Sequence, residues 1–311
     1  MKYRSFTRVL AMVLCAVMAM TLLPLTARAD MGPKPSVRIR FENLGNELCY
    51  GTLLSATAST GPASAWNGKE EDARHNGIPA YSHRSYGYDV WKAFVDYCQQ
   101  DDFYFLQEAW QVNETKTLSW TYYPPQEFKI LLYFPESGTF AVSEVCQRYA
   151  FDSYFTVDME GVTLLAAHDE ELPAREQMQP HRSYQYAPEL LSLLARILVT
   201  ILIEMGVALL FGFRGKRALL LLAEVNAGTQ ILLNVLLNVI NYFSGSMAFV
   251  VFYILLEVVV FAAEGIVYST ALKKVRGKPH GNWFYWLYAL AANAVSFGAG
   301  FFVAKLLPGI F

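Results

Sequence analysis

Polar and apolar positions follow two different rules along this chain. In the first half they alternate in short runs. In SVRIRFEN, Val37, Ile39 and Phe41 fall on one side and Arg38, Arg40 and Glu42 on the other, the period-two pattern of a half-buried strand. ELCYGTLLSAT continues as a second strand. FYFLQEAWQV, TLSWTYY, EFKILLYF, TFAVSEV and DSYFTVDM are further short runs rich in aromatic and β-branched residues. Pro-Pro and Glu-Ser-Gly turns separate several of them, and STGPASAWNG is a loop. One run keeps a different period. In DVWKAFVDYCQQ, Val90, Phe94, Tyr97 and Cys98 share a side, which predicts a short amphipathic helix. Together these elements predict a β-sandwich-like domain over residues 30–165. AAHDEELPAREQMQPHRSYQYAP holds no lasting period and predicts a linker over residues 166–187.

In the second half the apolar runs lengthen to roughly the 20 residues that a membrane-crossing helix needs. They cover residues 189–211, 218–241, 248–271 and 283–307, and predict an all-α four-helix transmembrane bundle over 188–311. The overall fold class is therefore mixed. Arg214, Lys216 and Arg217 lie between the first and second runs, and Lys273, Lys274, Arg276 and Lys278 between the third and fourth. The middle loop, YFSGSM, is uncharged. The positive-inside rule then places loops 212–217 and 272–282 in the cytoplasm and residues 30–187 outside. Trp283, Tyr285, Trp286 and Tyr288 fit an interfacial aromatic belt.

Charge divides the chain at the same point. Residues 30–187 carry 22 acids and 12 bases, whereas residues 188–311 carry 5 acids and 9 bases. Ahead of both stands a basic stretch with Lys2, Arg4 and Arg8, an apolar run from Val9 to Leu25, and Ala27-Arg28-Ala29. This is the pattern of a signal peptide over residues 1–29, with an uncleaved anchor helix as the alternative. Past it, Cys49, Cys98 and Cys146 allow at most one internal disulfide, and three buried thiols are an equal expectation.

The apolar runs hold the candidate chemistry. Glu257 and Glu264 are seven residues apart and share a helix face with Tyr253 and Tyr268. The second run has Gln230, Asn234, Asn238 and Asn241 on one broad face, flanked by Glu224 and Asn226. Arg196 and Glu204 lie in the first run, and Asn293 and Ser296 share a face of the fourth. Counting from the centre of each run places Glu204, Glu224 and Glu264 at one level, about 5–8 Å to the cytoplasmic side. Glu257 and Asn293 fall near the midplane. Intramembrane carboxylates are costly and usually functional, so Glu204, Glu224, Glu257, Glu264 and Asn293 form a candidate ion or proton site. Gln230, Asn234, Asn238, Asn241 and Arg196 form its supporting polar face. Two other readings stand beside this one: hydrogen-bonded glue between helices, and an interface with a partner subunit.

No HExxH, GxSxG, Walker A or GxGxxG pattern occurs, so no enzyme is expected. The Glu70, Glu71, Asp72, Arg74 and His75 run reads as a solvated loop. No cofactor is expected beyond a bound cation, and no nucleic acid. The expected partners are the lipid bilayer and a membrane protein or further copies of the chain. ADMGPKPSVRIRF, STGPASAW, WTYYPPQEFKILLYFPESGTF and RYAFDSYFTVD resemble a recurring set of predicted Gram-positive bacterial proteins. Those have a signal peptide, an ectodomain of this kind and a C-terminal membrane bundle. The resemblance implies a bacterial plasma membrane and an outward-facing domain, and names no ligand. The expected function is a non-enzymatic surface binding or sensing protein. The alternatives are a small ion- or proton-coupled transporter and an accessory subunit of a larger membrane complex.

Overall fold

The computed structural model describes residues 32–60, 63–64, 86–166, 178–275 and 280–306. The expected signal peptide and the charged run around Glu70 lie outside the described residues. The chain divides into a β unit, Pro33–Tyr184, and a helical unit beginning at Gln185.

In chain order the β unit runs β1 Ser36–Glu42, β2 Tyr50–Ser55, β3 Ser59–Thr60, β4 Ala63–Ser64, α1 Tyr88–Cys98, β5 Tyr104–Phe105, β6 Trp110–Gln111, β7 Thr117–Trp120, β8 Glu127–Phe134, β9 Thr139–Val142, β10 Cys146–Gln147, β11 Asp152–Asp158, β12 Leu165–Ala166 and β13 His181–Arg182. One sheet has the order β13-β11-β1-β7, with β1 parallel to β11 and antiparallel to β7. The other has the order β12-β9-β8-β2-β5, with β10 also on β8 and β6 on β2. Val37, Ile39 and Phe41 of β1 meet Phe128, Ile130 and Leu132 of β8 in one core cluster, so the two sheets face each other as a sandwich. Leu131 of β8 points the opposite way. With Leu54, Phe105 and Phe140 it packs against Val90, Trp91 and Phe94 of α1. The helix is thus a third layer, and β8 is continuously apolar from Ile130 to Phe134 because both of its faces are covered.

That second core holds an ion pair. Lys129 Nζ donates to both oxygens of Asp101, at 3.2 Å and 3.0 Å, and lies 4.8 Å from the centre of the Phe103 ring. The Tyr97 hydroxyl also donates to Asp101, at 3.1 Å. Burial, and then the Asp101 carboxylate, push the Tyr97 phenol well above its usual range.

Two sequence expectations change. FYFLQEAWQV is not one strand. It divides into β5 and β6 around Gln107, whose backbone is left-handed (φ 58°) and whose side chain and carbonyl accept from Trp91 and Tyr86. The β unit also runs past residue 165 to Tyr184, into the expected linker. Met178 is fully buried and bridges Ser143, and β13 pairs with β11. One buried methionine in a polar stretch makes no period, so the pattern could not mark it.

Cys49, Cys98 and Cys146 are all buried, and no disulfide links them. Burial is the main cause pushing the Cys49 and Cys98 thiols above their usual range. Both are therefore expected to resist an alkylating reagent at neutral pH in the folded protein and to react in denaturant. Mass spectrometry that found either one labelled within minutes under native conditions would contradict this burial.

The helical unit contains α2 Tyr186–Leu210, α3 Lys216–Val267, a π-helical turn Tyr268–Leu272 extended by Lys273–Val275, and α4 Asn282–Leu306. Gly245 interrupts α3 with φ 80° and ψ 178°, a conformation essentially confined to glycine. The chain reverses there. Thr229 and Glu264 would lie about 52 Å apart in a straight helix, yet they share a 2.7 Å hydrogen bond. Leu233, Leu237 and Ile240 of the first arm pack on Phe252, Leu256 and Val260 of the second. The four expected apolar runs thus correspond to helical segments 186–210, 216–244, 246–275 and 282–306.

Among the described residues, two stretches are long and apolar enough to cross a membrane: Tyr186–Leu210, with mean hydropathy 2.3, and Lys216–Val275, with 2.4. Each also carries an outward apolar face. Leu191, Leu194, Leu198 and Leu202 are exposed on α2, while Ser192, Glu204, Val207 and Ala208 are buried. The aromatic belt is corrected in part. Trp283 is exposed, but Tyr285 and Tyr288 are fully buried with Phe213 and Tyr268. They lie on the inward stripe of α4 with Ala289 and Ala292.

Candidate functional site

A polar layer divides the interior of the helical unit. On one side lie Val207, Ala208, Leu222, Tyr268 and Ala292, and on the other Leu233, Leu237, Leu256 and Val260. Between them a run of contacts passes through all four segments. Thr229 on the first arm of α3 donates to Glu264 Oε1 on the second arm at 2.7 Å. Asn293 Nδ2 on α4 donates to Glu264 Oε2, also at 2.7 Å. One turn along α4, Ser296 donates to Glu204 Oε1 on α2 at 3.1 Å. Asn226, one turn before Thr229, directs its amide at Glu204 and closes the ring, with neither amide atom within 3.5 Å of a partner.

Glu204, Glu264 and Asn226 are each 0% exposed. Among the described residues, no Lys or Arg forms an ion pair with either carboxylate. Glu204 and Glu264 lie close enough to act on each other electrostatically, and like charges in such an enclosure repel. Two full charges in this enclosure therefore need a proton or a cation. The hydroxyl groups allow either state. Ser296 Oγ lies 3.1 Å from both the Asn293 carbonyl and Glu204, and Thr229 Oγ1 lies 3.1 Å from the Val225 carbonyl and 2.7 Å from Glu264. Each hydroxyl has one proton. It can give that proton to the carboxylate, or keep it on the backbone and accept one from a carboxylic acid.

Two local features position Glu264. Gly265 beside it lies directly under the Trp286 ring, where a Cβ atom would come within 2.4 Å of the indole. The π-helical turn begins at Tyr268, one turn further on. Such turns widen a helix locally and are common at functional sites. Buried polar atoms without a partner in this unit include Glu204 Oε2, Asn293 Oδ1 and the Tyr268 and Tyr285 hydroxyls.

The sequence-derived set separates. Glu204, Glu264 and Asn293 come together. Glu257 is half-buried and acts on Glu204 only through space. Glu224 is corrected: it is exposed on the outer face. Level along a helix does not fix direction, and two residues of separation turn Glu224 about 200° from Asn226, which takes the inward place. Gln230 and Asn234 are buried but bond each other along their own helix, at 2.9 and 3.3 Å. Asn238 and Asn241 are half-buried at the edge of that stripe. Arg196 is no counter-ion for Glu204. Its guanidinium reaches Asn238 at 3.5 Å and the Phe249 ring at 5.8 Å. Asn293 bonds Glu264, so the two share one level rather than the separate depths expected from run centres. Thr229 escaped the sequence reading; its signal is the one-turn spacing from Asn226, which repeats in Asn293 and Ser296.

Comparison with protein-family models, curated proteins and solved structures gave no match.

Proposed function

We propose that this chain is a multi-pass membrane protein whose four helical segments span the bilayer and whose interior ring is the proton- or cation-binding site of a small ion-coupled transporter. The carrying observation is the pair of fully buried carboxylates, Glu204 and Glu264, joined through all four segments with no basic partner among the described residues. Exposed leucines around an interior that carries a buried polar layer support the membrane placement, because a soluble helix turns its leucines inward. The basic loops, the acidic β unit and the signal-peptide pattern support an extracytoplasmic β domain on a bacterial plasma membrane. Four spans are few for a transport path, so the working form is a homo-oligomer or a complex with another membrane protein. Glu224, exposed on the outer face of α3, supports that association.

In liposomes, the parent protein is expected to carry flux under a proton or sodium gradient, and Glu264→Gln to reduce it at least about tenfold with folding intact. The magnitude follows from losing one charged group at a binding site, about 1.4 kcal/mol or more. No flux in the parent protein under proton, sodium or calcium gradients sinks the transport reading.

A second reading, a non-enzymatic surface binding or sensing protein, draws on the outer face of the first sheet. There Arg38, on the same face as the exposed Arg40, lies over the Tyr154 ring at 5.8 Å. This cationic and aromatic face stands out on an acidic domain and fits an anionic ligand.

A further inference from the structure

We propose that a groove at the outer end of the helical unit holds one phospholipid, with its phosphodiester on the Arg196 guanidinium and an acyl chain along α2. This rests on the multi-pass membrane reading above and is independent of what the polar ring carries. The groove has a volume of about 300 Å³. Tyr186, Leu190 and Leu193 line it from α2, at the spacing of one helix face, and Asn238 lines it from the first arm of α3. Arg196 stands one turn beyond Leu193, and its Nη2 donates to Asn238 Oδ1 at 3.5 Å. Asn238 thus belongs to both, and the guanidinium lies at the inner end of the groove.

Arg196 is short of partners. Among the described residues no carboxylate forms an ion pair with it. Its Nε is buried and makes no hydrogen bond. The Phe249 ring, 5.8 Å away, covers the guanidinium but supplies no oxygen acceptor. An arginine within a span is costly and is usually matched by another polar group. Depth identifies that group. Asn238 precedes the Gly245 turn by seven residues and Phe249 follows it by four, which puts the guanidinium about 6–11 Å from the turn. On the topology proposed above, that turn faces outside. Helical side chains lean toward the N-terminus, so Arg196 on α2 also leans outward. A long basic side chain at this depth meets the headgroup level, and the planar guanidinium fork matches phosphate oxygens. The leucines then suit the attached chain. Glu189 also lines the groove and acts on Arg196 through space. Its negative charge opposes a doubly charged free phosphate more than a phosphodiester, which carries one charge.

The test uses the full-length protein, first floated with liposomes and then released into detergent from nanodiscs of dioleoyl phosphatidylglycerol. Native mass spectrometry counts the phospholipid retained and the number of chains. One phospholipid per chain is expected. Arg196→Gln should weaken its retention at least about tenfold, the loss of a hydrogen bond from a charged group. Leu190→Trp should do the same by filling the groove. Leu190 is 58% exposed, so this variant leaves the packing and Arg196 in place and covers misfolding of the first. Neither dioleoylglycerol, which has the chains without the phosphate, nor inorganic phosphate should displace the lipid. Unchanged retention in Arg196→Gln, or displacement by dioleoylglycerol, overturns the phosphate contact. Displacement by inorganic phosphate makes this a free-anion site and overturns the lipid. If Leu190→Trp separates chains without shedding lipid, the groove is an interface between copies and the proposal fails. A parent protein that floats with liposomes but retains no phospholipid overturns the site alone, whereas one that does not float overturns the membrane reading beneath it.

Discussion

Lys129→Met is expected to destabilise the β unit by about 3–5 kcal/mol, the usual cost of leaving one member of a buried ion pair behind. The side chain of Asp101 is only 2% exposed, and Lys129 is its ion-pair partner. Methionine retains the packing over Phe103 but supplies no donor, so the Asp101 carboxylate keeps only the Tyr97 hydroxyl and the Phe103 backbone N–H. Native-state hydrogen exchange of β8 in the full-length protein should speed up by about two to three orders of magnitude. Adding Asp101→Asn removes the stranded charge and should recover most of the loss. A single-mutant effect below about 1 kcal/mol, the range of surface pairs, would mean that water reaches this pair.

Gly265→Ala is the smallest change with a large expected effect in the helical unit. Its new methyl group would meet Trp286 Cε3 at 2.4 Å and Cζ3 at 2.5 Å, both within the rigid indole ring. Overpacking of this kind costs about 1–3 kcal/mol. The displaced helix also carries Glu264 on the preceding residue, so its bonds to Thr229 and Asn293 should loosen with it. Trp286→Leu should suppress the effect in a double-mutant cycle, because it removes the atoms that clash. An additive pair would show that Gly265 is needed for some other reason.

How much could be read in advance depended on whether a feature repeats. Alternation in SVRIRFE marked β1 and its buried face, and the apolar runs marked all four helical segments because each repeats one rule over many residues. Glu204, Glu264 and Asn293 were visible as polar residues where apolar ones are usual. Their grouping was not. Glu224 was placed by level alone, and azimuth turns it outward. Thr229 is common in helices and carried no signal until Glu264 was found within 2.7 Å of it. Burial of Tyr285 and Tyr288, and of Met178, depends on partners distant in sequence, which periodicity cannot report.

The placement of β1 has a consequence for how the chain acquires its structure. It is the earliest of the described strands, yet it lies inside its sheet between β7 and β11, and Ser36 hydrogen-bonds Asp152, 116 residues later. Neither neighbour of β1 exists until most of the β unit has been synthesised. Contacts of such long range make folding slow, because a large loop must close before any pairing is rewarded. The first sheet therefore closes only after β11 has been made.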